Sequence, residues 1–269
     1  VEAGAALADL VDGLSERTDM RVAALVSSHR FGASIGTLAD AIRIGNADEV
    51  IDVLRSGGDH IDWIEDDDPT DRLRAILVPA ALRMREAALL GADADALAGL
   101  DGHRLLCAHR RGPFGAEQWN RLVHHWVSEE TGLPMWSQWY AGRPLLVTAN
   151  DYGLGLYNGD TGVVVARPGG LRAVMSGGSL DFATSRLSDV ETMYAMTIHK
   201  SQGSQAEEVT VLLPSHDSRL LTRELFYTAV TRAKNKVRVV GSPTALRAAI
   251  DRRAVRASGL RQRLKSGVV

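Results

Sequence analysis

Residues 195–213 read AMTIHKSQGSQAEEVTVLL, and this stretch decides the fold class. An apolar run at 195–198 and a second at 209–213 have the length and composition of buried strands. Between them lies a loop crowded with polar, cationic and glycine residues. A buried strand followed by such a loop indicates an open α/β sheet, in which ligands bind at the carboxyl ends of the strands.

The loop at residues 197–204 contains the residue types of a phosphate-binding segment. Thr197, His199 and Lys200 offer donors suited to phosphates, and Gly203 allows a close approach of the backbone. An ordinary surface loop would contain the same residue types. The loop is therefore a candidate site at the carboxyl edge of the sheet, and the surface-loop interpretation stays open.

The rest of the chain alternates short apolar runs with amphipathic helical patterns, which also favours an α/β fold. Strands are expected at residues 21–27, 105–108, 195–198, 209–213 and 237–241, and helices at residues 36–44, 46–55, 70–90, 116–131, 223–233 and from 243 toward 264. Gly45, Asn46 and Ser242 are expected to cap helices. Pro79 is expected to kink or divide the helix in which it lies.

Between residues 143 and 182 the helical periodicity disappears. The short runs PLLVTA, TGVVVA and LRAVM are separated by turns such as Asn158-Gly159-Asp160. This pattern predicts a small antiparallel β insert. The chain is then expected to contain the first part of an α/β domain at 1–142, the insert at 143–185, and the second part with a basic C-terminal helix at 186–269.

Two arginines are candidates for binding phosphate. Arg232 lies near the end of the helix predicted at 223–233, and a planar guanidinium is well shaped to clamp a γ-phosphate bidentately. A positive charge that complements the helix dipole is the alternative explanation. Arg30, in the segment SSHRFG at 27–32, follows the first predicted strand and is the candidate for a second clamp at the carboxyl edge.

Composition places the chain among soluble globular proteins, with 269 residues and 31 Lys plus Arg against 33 Asp plus Glu. A single cysteine supports neither a disulfide framework nor a zinc ribbon, so a cytoplasmic setting is expected and no metal site within this chain. No apolar run approaches the roughly 18 residues that a membrane span needs. Residues 234–269 are basic, as in a polyanion-facing surface or a solvated helix face. The chain begins without Met, and we expect it to be a piece of a longer protein.

Several stretches together resemble the superfamily 1B DNA helicases of the RecD type. Residues 25–45 resemble helicase motif IV, residues 197–209 resemble motif V, and residues 223–241 resemble motif VI. Residues 104–120 resemble the strand and helix after motif IV, and residues 156–164 resemble a turn of the family's small SH3-like insert. The resemblance implies a second RecA-like helicase domain, with a parallel sheet interrupted by that insert.

In this family ATP sits between two RecA-like domains, and the resemblance implies that this chain supplies the second. The sequence contains no G-x-x-x-x-G-K-[ST] pattern and no apolar strand that ends in Asp-Glu. The phosphate-binding loop and the ligands of Mg²⁺ are therefore expected in an N-terminal domain outside this chain. Arg30 and Arg232 match the arginines that reach the γ-phosphate, and Gln202 and Gly203 match residues on the ATP side. Gln205 stands where the family often has Glu.

Single-stranded DNA crosses both domains in this family, held by phosphate contacts and base stacking. By the resemblance, the DNA-binding candidates are Thr197, His199, Lys200, Asn150 and Tyr152. Trp136 and Trp139 are candidates for stacking on bases, although packing in a core or interface is the favoured interpretation of both.

One member of the family is favoured, the RecD subunit of the RecBCD helicase–nuclease (exonuclease V) of double-strand-break repair. It is favoured by the sequence of residues 27–32 and 35–42 and by the basic tail at 252–264. The resemblance then implies 5′ to 3′ translocation and RecB and RecC as partners. A free-standing RecD-like helicase shares motifs V and VI, and a conjugative relaxase is a more distant option. A DNA-binding or assembly module without catalysis is the alternative from another class.

Overall fold

The computed structural model of the protein describes residues 32–66, 68–132, 134, 136–177 and 181–254. The strand predicted at 21–27, Arg30 and the basic residues from 255 onward lie outside the described residues. The helices are α1 (Ala33–Ile44), α2 (Ala47–Ser56), α3 (Thr70–Leu89), α4 (Asp93–Gly102), α5 (Ala116–Thr131), α6 (Arg223–Val230) and α7 (Pro243–Asp251). The strands are β1 (Ile61–Ile64), β2 (His103–Cys107), β3 (Pro144–Val147), β4 (Thr161–Arg167), β5 (Gly170–Met175), β6 (Asp181–Ala183), β7 (Val190–Thr192), β8 (Ala195–Thr197), β9 (Ala206–Leu212) and β10 (Ala233–Val240).

Five strands form a parallel sheet in the order β1-β10-β9-β2-β8. Parallel sheets are covered on both faces, so their central strands are apolar. Val209 and Val211 on β9 and Val237 and Val239 on β10 are fully buried. Helices α4, α5 and α6 pack against strands of this sheet. The predicted α/β fold with a parallel sheet is confirmed.

The remaining strands form an antiparallel sheet in the order β6-β5-β4-β3-β7. It is the β structure predicted for the insert, and its core contains Leu145, Val164 and Phe182. Its last strand, Val190–Thr192, lies beyond the predicted end of the insert at residue 185. The likeness to an SH3 fold and the three domain boundaries stay predictions.

The predicted helix caps are confirmed, because each depends on one local side chain or backbone conformation. Gly45 adopts a φ of 86° after α1, in the left-handed region that glycine tolerates. The side chain of Asn46 accepts a hydrogen bond from the N–H of Glu49 at the start of α2. The side chain of Ser242 accepts one from the N–H of Ala245 at the start of α7.

Pro79 does not divide its helix, because α3 is a single helix of 20 residues, and a kink at Pro79 stays a prediction. Proline removes one backbone hydrogen bond and crowds the preceding turn. The buried face of α3 continues on both sides of Pro79, through Leu73, Leu77, Ala81 and Met84. Burial of that face outweighs the local cost of the proline.

Two helices end earlier than predicted. Helix α7 ends at Asp251, and Arg252 has an extended backbone, so the helix expected to run toward Leu264 stops there. Helix α6 ends at Val230, which leaves Arg232 between α6 and β10. None of the helices in the described part of the chain is long and apolar enough to cross a membrane.

Candidate nucleotide and DNA site

The loop at residues 198–205 joins β8 to β9 and crosses β2, which lies between these two strands in the sheet. We call it the crossover loop. Thr197 pairs with Cys107, and Cys107 pairs with Leu212, so the loop begins at the carboxyl ends of the strands. It ends at Ala206, six residues before Leu212, which is about 20 Å along an extended strand. A connection between parallel strands has to return in this way.

Arg232 meets the far end of the crossover loop. Its guanidinium is half-buried, and Nε donates to the carbonyl oxygen of Thr228 at 3.1 Å. Nη1 donates to the carbonyl oxygen of Ser204, also at 3.1 Å. The carbonyl of Arg232 in turn accepts from the N–H of Ala206 at 3.0 Å. The structure thus joins two segments that the sequence analysis singled out separately.

The loop begins at the carboxyl edge of the sheet, as predicted, but not all of the candidate residues lie at that edge. Thr197 lies at the carboxyl end of β8, but Ser204 precedes the first residue of β9 and Arg232 precedes the first residue of β10. The candidates are therefore divided between the two edges of the sheet. The physical reason is the crossover itself, since a parallel strand can start only after the chain has returned to the amino edge.

The second half of the crossover loop and Arg232 offer donors that fit a nucleotide. Gly203 has a φ of +87°, and a Cβ placed there would meet no atom within 4 Å. Gln202 is exposed beside it. The Nε2 of Gln205 is buried and has no hydrogen-bond partner in the described part of the chain. A guanidinium, an open glycine turn and an unpaired amide donor together suit the oxygens of a phosphate-rich ligand.

At the carboxyl edge the structure brings together the three predicted DNA contacts. His199 is exposed, and Thr197 and Lys200 are half-buried. Ile198 to Ser201 form a short 3-10 helix, in which the buried hydroxyl of Ser201 donates to the carbonyl of Ile198 at 2.7 Å. Lys200 forms no ion pair with any residue that the structure describes.

Asn150 and Tyr152 lie in the loop between β3 and β4 of the antiparallel sheet, not in the crossover loop. The side chain of Asn150 accepts from the N–H of Asn158 at 2.8 Å and donates to the Tyr152 hydroxyl at 3.3 Å. Tyr152 is 79% exposed, and its ring meets that of Tyr157 edge-on at 6.3 Å. Tyr157 was missed in the sequence analysis, although an exposed aromatic pair is a surface on which bases can stack.

The comparisons with known proteins lead to the same motifs. Residues 192–240, which span the crossover loop and Arg232, match the model of the UvrD-like helicase C-terminal domain. Over 99% of its length the chain is 71% identical to "RecBCD enzyme subunit RecD" of Mycobacterium tuberculosis, covering 47% of that protein. It is 67% identical to the protein of the same name from Mycolicibacterium smegmatis, covering 98% of the chain and 47% of that protein.

The chain belongs to the RecD family. It spans about half the length of the curated RecD relatives that it matches. A solved structure of Pif1 helicase from Bacteroides, in complex with ADP-AlF3 and single-stranded DNA, covers 82% of the chain and aligns over 52% of its own length, at 13% identity and a TM-score of 0.46.

The other predicted site residues of this RecD chain have different outcomes. Arg30 lies outside the described residues, so its role stays a prediction. Trp139 packs against the core of the antiparallel sheet, and the guanidinium of Arg143 lies 4.7 Å from its ring centre. Trp136 is 86% exposed, so packing in a core was wrong for this residue, and packing in an interface stays a prediction. Ser204 was missed, because a serine in a polar loop gives no signal of its partners.

Proposed function

We propose that this chain is the second motor domain of an ATP-dependent 5′ to 3′ DNA helicase, the RecD subunit of a RecBCD enzyme that acts in double-strand-break repair and recombination. The observation that carries the proposal is the hydrogen bond from Arg232 to Ser204, which joins the motif VI arginine to the motif V loop. The 71% identity to a RecBCD subunit supports it. RecB and RecC are the proposed partners.

In the proposal, ATP lies between this domain and a domain that supplies the phosphate-binding loop. Arg232 and Arg30 contact the γ-phosphate, and Gln202 and Gly203 line the junction. As negative charge accumulates on the transferring phosphoryl group, the fixed guanidinium charges stabilise it. Mg²⁺ neutralises charge on the phosphates when it is bound, and its ligands come from the N-terminal domain. The donor set at Arg232 and Gln205 supports a nucleotide here.

Single-stranded DNA binds at the other end of the crossover loop. Lys200 neutralises a phosphate, while Thr197 and His199 donate hydrogen bonds to the backbone of the strand. Asn150 and Tyr152 contact the strand from the antiparallel sheet. The proposed DNA contacts at 197–200 and the proposed ATP contacts at Gln202, Gly203 and Arg232 therefore meet on one loop, which supports a mechanism in which ATP-driven closure of the two domains moves the strand.

The direction of unwinding tests this function in a RecD chimera, in which this chain replaces the matching 268 residues of Mycobacterium tuberculosis RecD. With ATP, we expect the chimera to unwind a duplex that carries a 5′ single-stranded tail and to leave a 3′-tailed duplex intact. Strand displacement is followed by fluorescence. Unwinding from the 3′ tail would refute the polarity. DNA binding without ATP hydrolysis would favour the non-catalytic module.

Copurification separates the subunit from the free-standing helicase. We expect the RecD chimera, produced together with RecB and RecC of Mycobacterium tuberculosis, to elute with both proteins in size-exclusion chromatography. The chimera eluting alone while RecB and RecC elute together would favour a free-standing or relaxase-type helicase. The native RecD of the same organism is the matched control.

Lys200→Ala in the RecD chimera is expected to weaken binding of every single-stranded sequence alike. It should also flatten the plot of log K against log salt by about 0.7, the slope for one phosphate on a single strand. His199→Ala should lower the affinity with little change in slope, because in the proposal His199 contributes a hydrogen bond and does not neutralise a phosphate. Fluorescence anisotropy at several salt concentrations measures both quantities.

The control for Lys200 is Lys234→Ala, which removes the same charge elsewhere. Lys234 is exposed, pairs with Glu207 at 2.8 Å, and lies at the amino edge of the sheet. Its removal should leave the salt slope unchanged. If Lys200→Ala also leaves the salt slope and the affinity unchanged, the result favours an ordinary surface loop over a DNA-binding loop.

A further inference from the structure

Arg104 is a buried cation in β2, the strand that the crossover loop passes. Its side chain is only 4% exposed. Nη1 donates to the hydroxyl oxygen of Ser204 at 2.8 Å, and Nη2 donates to Oδ1 of Asp101 at 3.2 Å. Arg104 thus links β2 to the end of the crossover loop that Arg232 contacts.

Ser204 accepts hydrogen bonds from both arginines, from Arg104 at its side chain and from Arg232 at its backbone carbonyl. Its hydroxyl accepts from Arg104 and donates to the carbonyl of Ser201 at 2.9 Å. Its carbonyl accepts from Nη1 of Arg232. These contacts form a continuous series from Asp101 through Arg104 and Ser204 to Arg232. Because a serine hydroxyl has one proton and two lone pairs, this arrangement satisfies it and fixes its rotamer.

The position of Arg104 is costly for stability. Burial lowers the pKa of its guanidinium, and the Nε has no hydrogen-bond partner in the described part of the chain. The carboxylate of Asp101 is half exposed, so the pair is only partly enclosed. An apolar side chain in a buried strand avoids such a desolvation cost. The contact with Ser204 is therefore the feature that explains a charged side chain at this buried position.

We infer that Arg104 is a positioning residue for ATP hydrolysis, which holds Ser204 so that the Ser204 carbonyl fixes the guanidinium of Arg232 toward the nucleotide. The inference rests on the proposed function of Arg232. Arginine suits this task because its planar fork reaches Ser204 and Asp101 from one rigid group. Misplacement of a catalytic group by about 1 Å costs about 100-fold in rate, so a fixed guanidinium matters.

Arg104→Met in the RecD chimera tests the inference, since methionine keeps much of the side-chain volume without the donors. We expect kcat for DNA-stimulated ATP hydrolysis to fall about 10- to 100-fold. Affinity for single-stranded DNA should stay within twofold, because the side chain of Arg104 is hydrogen-bonded to Ser204 and Asp101 and not to a proposed DNA contact. Combined with Arg232→Lys, Arg104→Met should cause little further loss, since it acts through the group already changed.

Arg83→Met is the matched control, because Arg83 is exposed on α3 and the same chemical change there should leave kcat unaltered. Ser204→Ala removes the hydroxyl that Arg104 holds, and it should lower kcat and show the same lack of additivity with Arg232→Lys. If Arg104→Met does not fold, Ser204→Ala tests the positioning role in its place.

The inference is overturned if Arg104→Met and Ser204→Ala keep kcat within twofold of the parent. It is equally overturned if their losses multiply with that of Arg232→Lys, because a merely structural role predicts independent effects. A failure of the proposed function looks different. In that case Arg232→Ala itself leaves kcat unchanged, whatever happens at Arg104.

Discussion

Arg232→Ala in the RecD chimera is expected to lower kcat for ATP hydrolysis by about 10³- to 10⁵-fold, the range for arginine fingers in other nucleotide hydrolases. The affinity for ATP should change far less, because the guanidinium acts mainly on charge that develops in the transition state. Steady-state kinetics with single-stranded DNA give kcat, and titration with a fluorescent ATP analogue gives the affinity. The two quantities separate transition-state stabilisation from ground-state binding.

The control for Arg232→Ala is Arg83→Ala. Arg83 lines a surface cavity with Gly102 and His103 and makes no hydrogen bond or ion pair within the described residues, so its removal should leave both quantities unchanged. Equal losses of turnover and affinity in Arg232→Ala would assign Arg232 to ground-state binding. Unchanged turnover would instead favour the alternative that the charge of Arg232 complements the helix dipole.

The chain by itself is expected to show no ATP hydrolysis, with or without single-stranded DNA. Its sequence contains no G-x-x-x-x-G-K-[ST] pattern to cradle the phosphates, so Arg232 has no positioned γ-phosphate on which to act. Phosphate release from the purified 269-residue chain should therefore equal that of the buffer. The RecD chimera at the same concentration provides the positive control.

DNA-stimulated turnover by the isolated chain would contradict this expectation and would require a phosphate-binding loop of another kind. Binding of single-stranded DNA by the isolated chain would not, because Lys200 and its neighbours are within this sequence. Anisotropy measurements on the same preparation therefore show whether an inactive chain is folded and able to bind.

Much of the local structure could be predicted from the sequence, because its causes are local. Gly45 ends α1 through a backbone conformation that side chains disfavour, and Asn46 and Ser242 begin helices by accepting from the backbone N–H group three residues further on. Strands β2, β8, β9 and β10 followed from short apolar runs, whereas β1 (Ile61–Ile64) was not predicted. The family followed from the motifs around Gly203 and Arg232, and the RecD relatives confirm it.

The extents of β9 and β10 were underestimated, since residues 207–208 of β9 and 234–236 of β10 are polar or charged. Glu207 and Lys234 pair across these two strands at the amino edge, which compensates for the low strand preference of such residues. Only the neighbouring strand shows that these residues are part of the sheet. The same neighbours place Arg232 beyond the end of α6 rather than within a helix.

What the sequence by itself determined is the set of chemical groups and the local turns that carry them, from the donors at 197–204 to the guanidinium of Arg232. The tertiary structure alone decided which of these groups meet. Ser204 is hydrogen-bonded to Ser201, the residue after Lys200, and β2 brings Arg104, from a distant part of the chain, to Ser204. The physical reason is that hydrogen bonds between distant segments depend on strand order, which no local pattern of residues encodes.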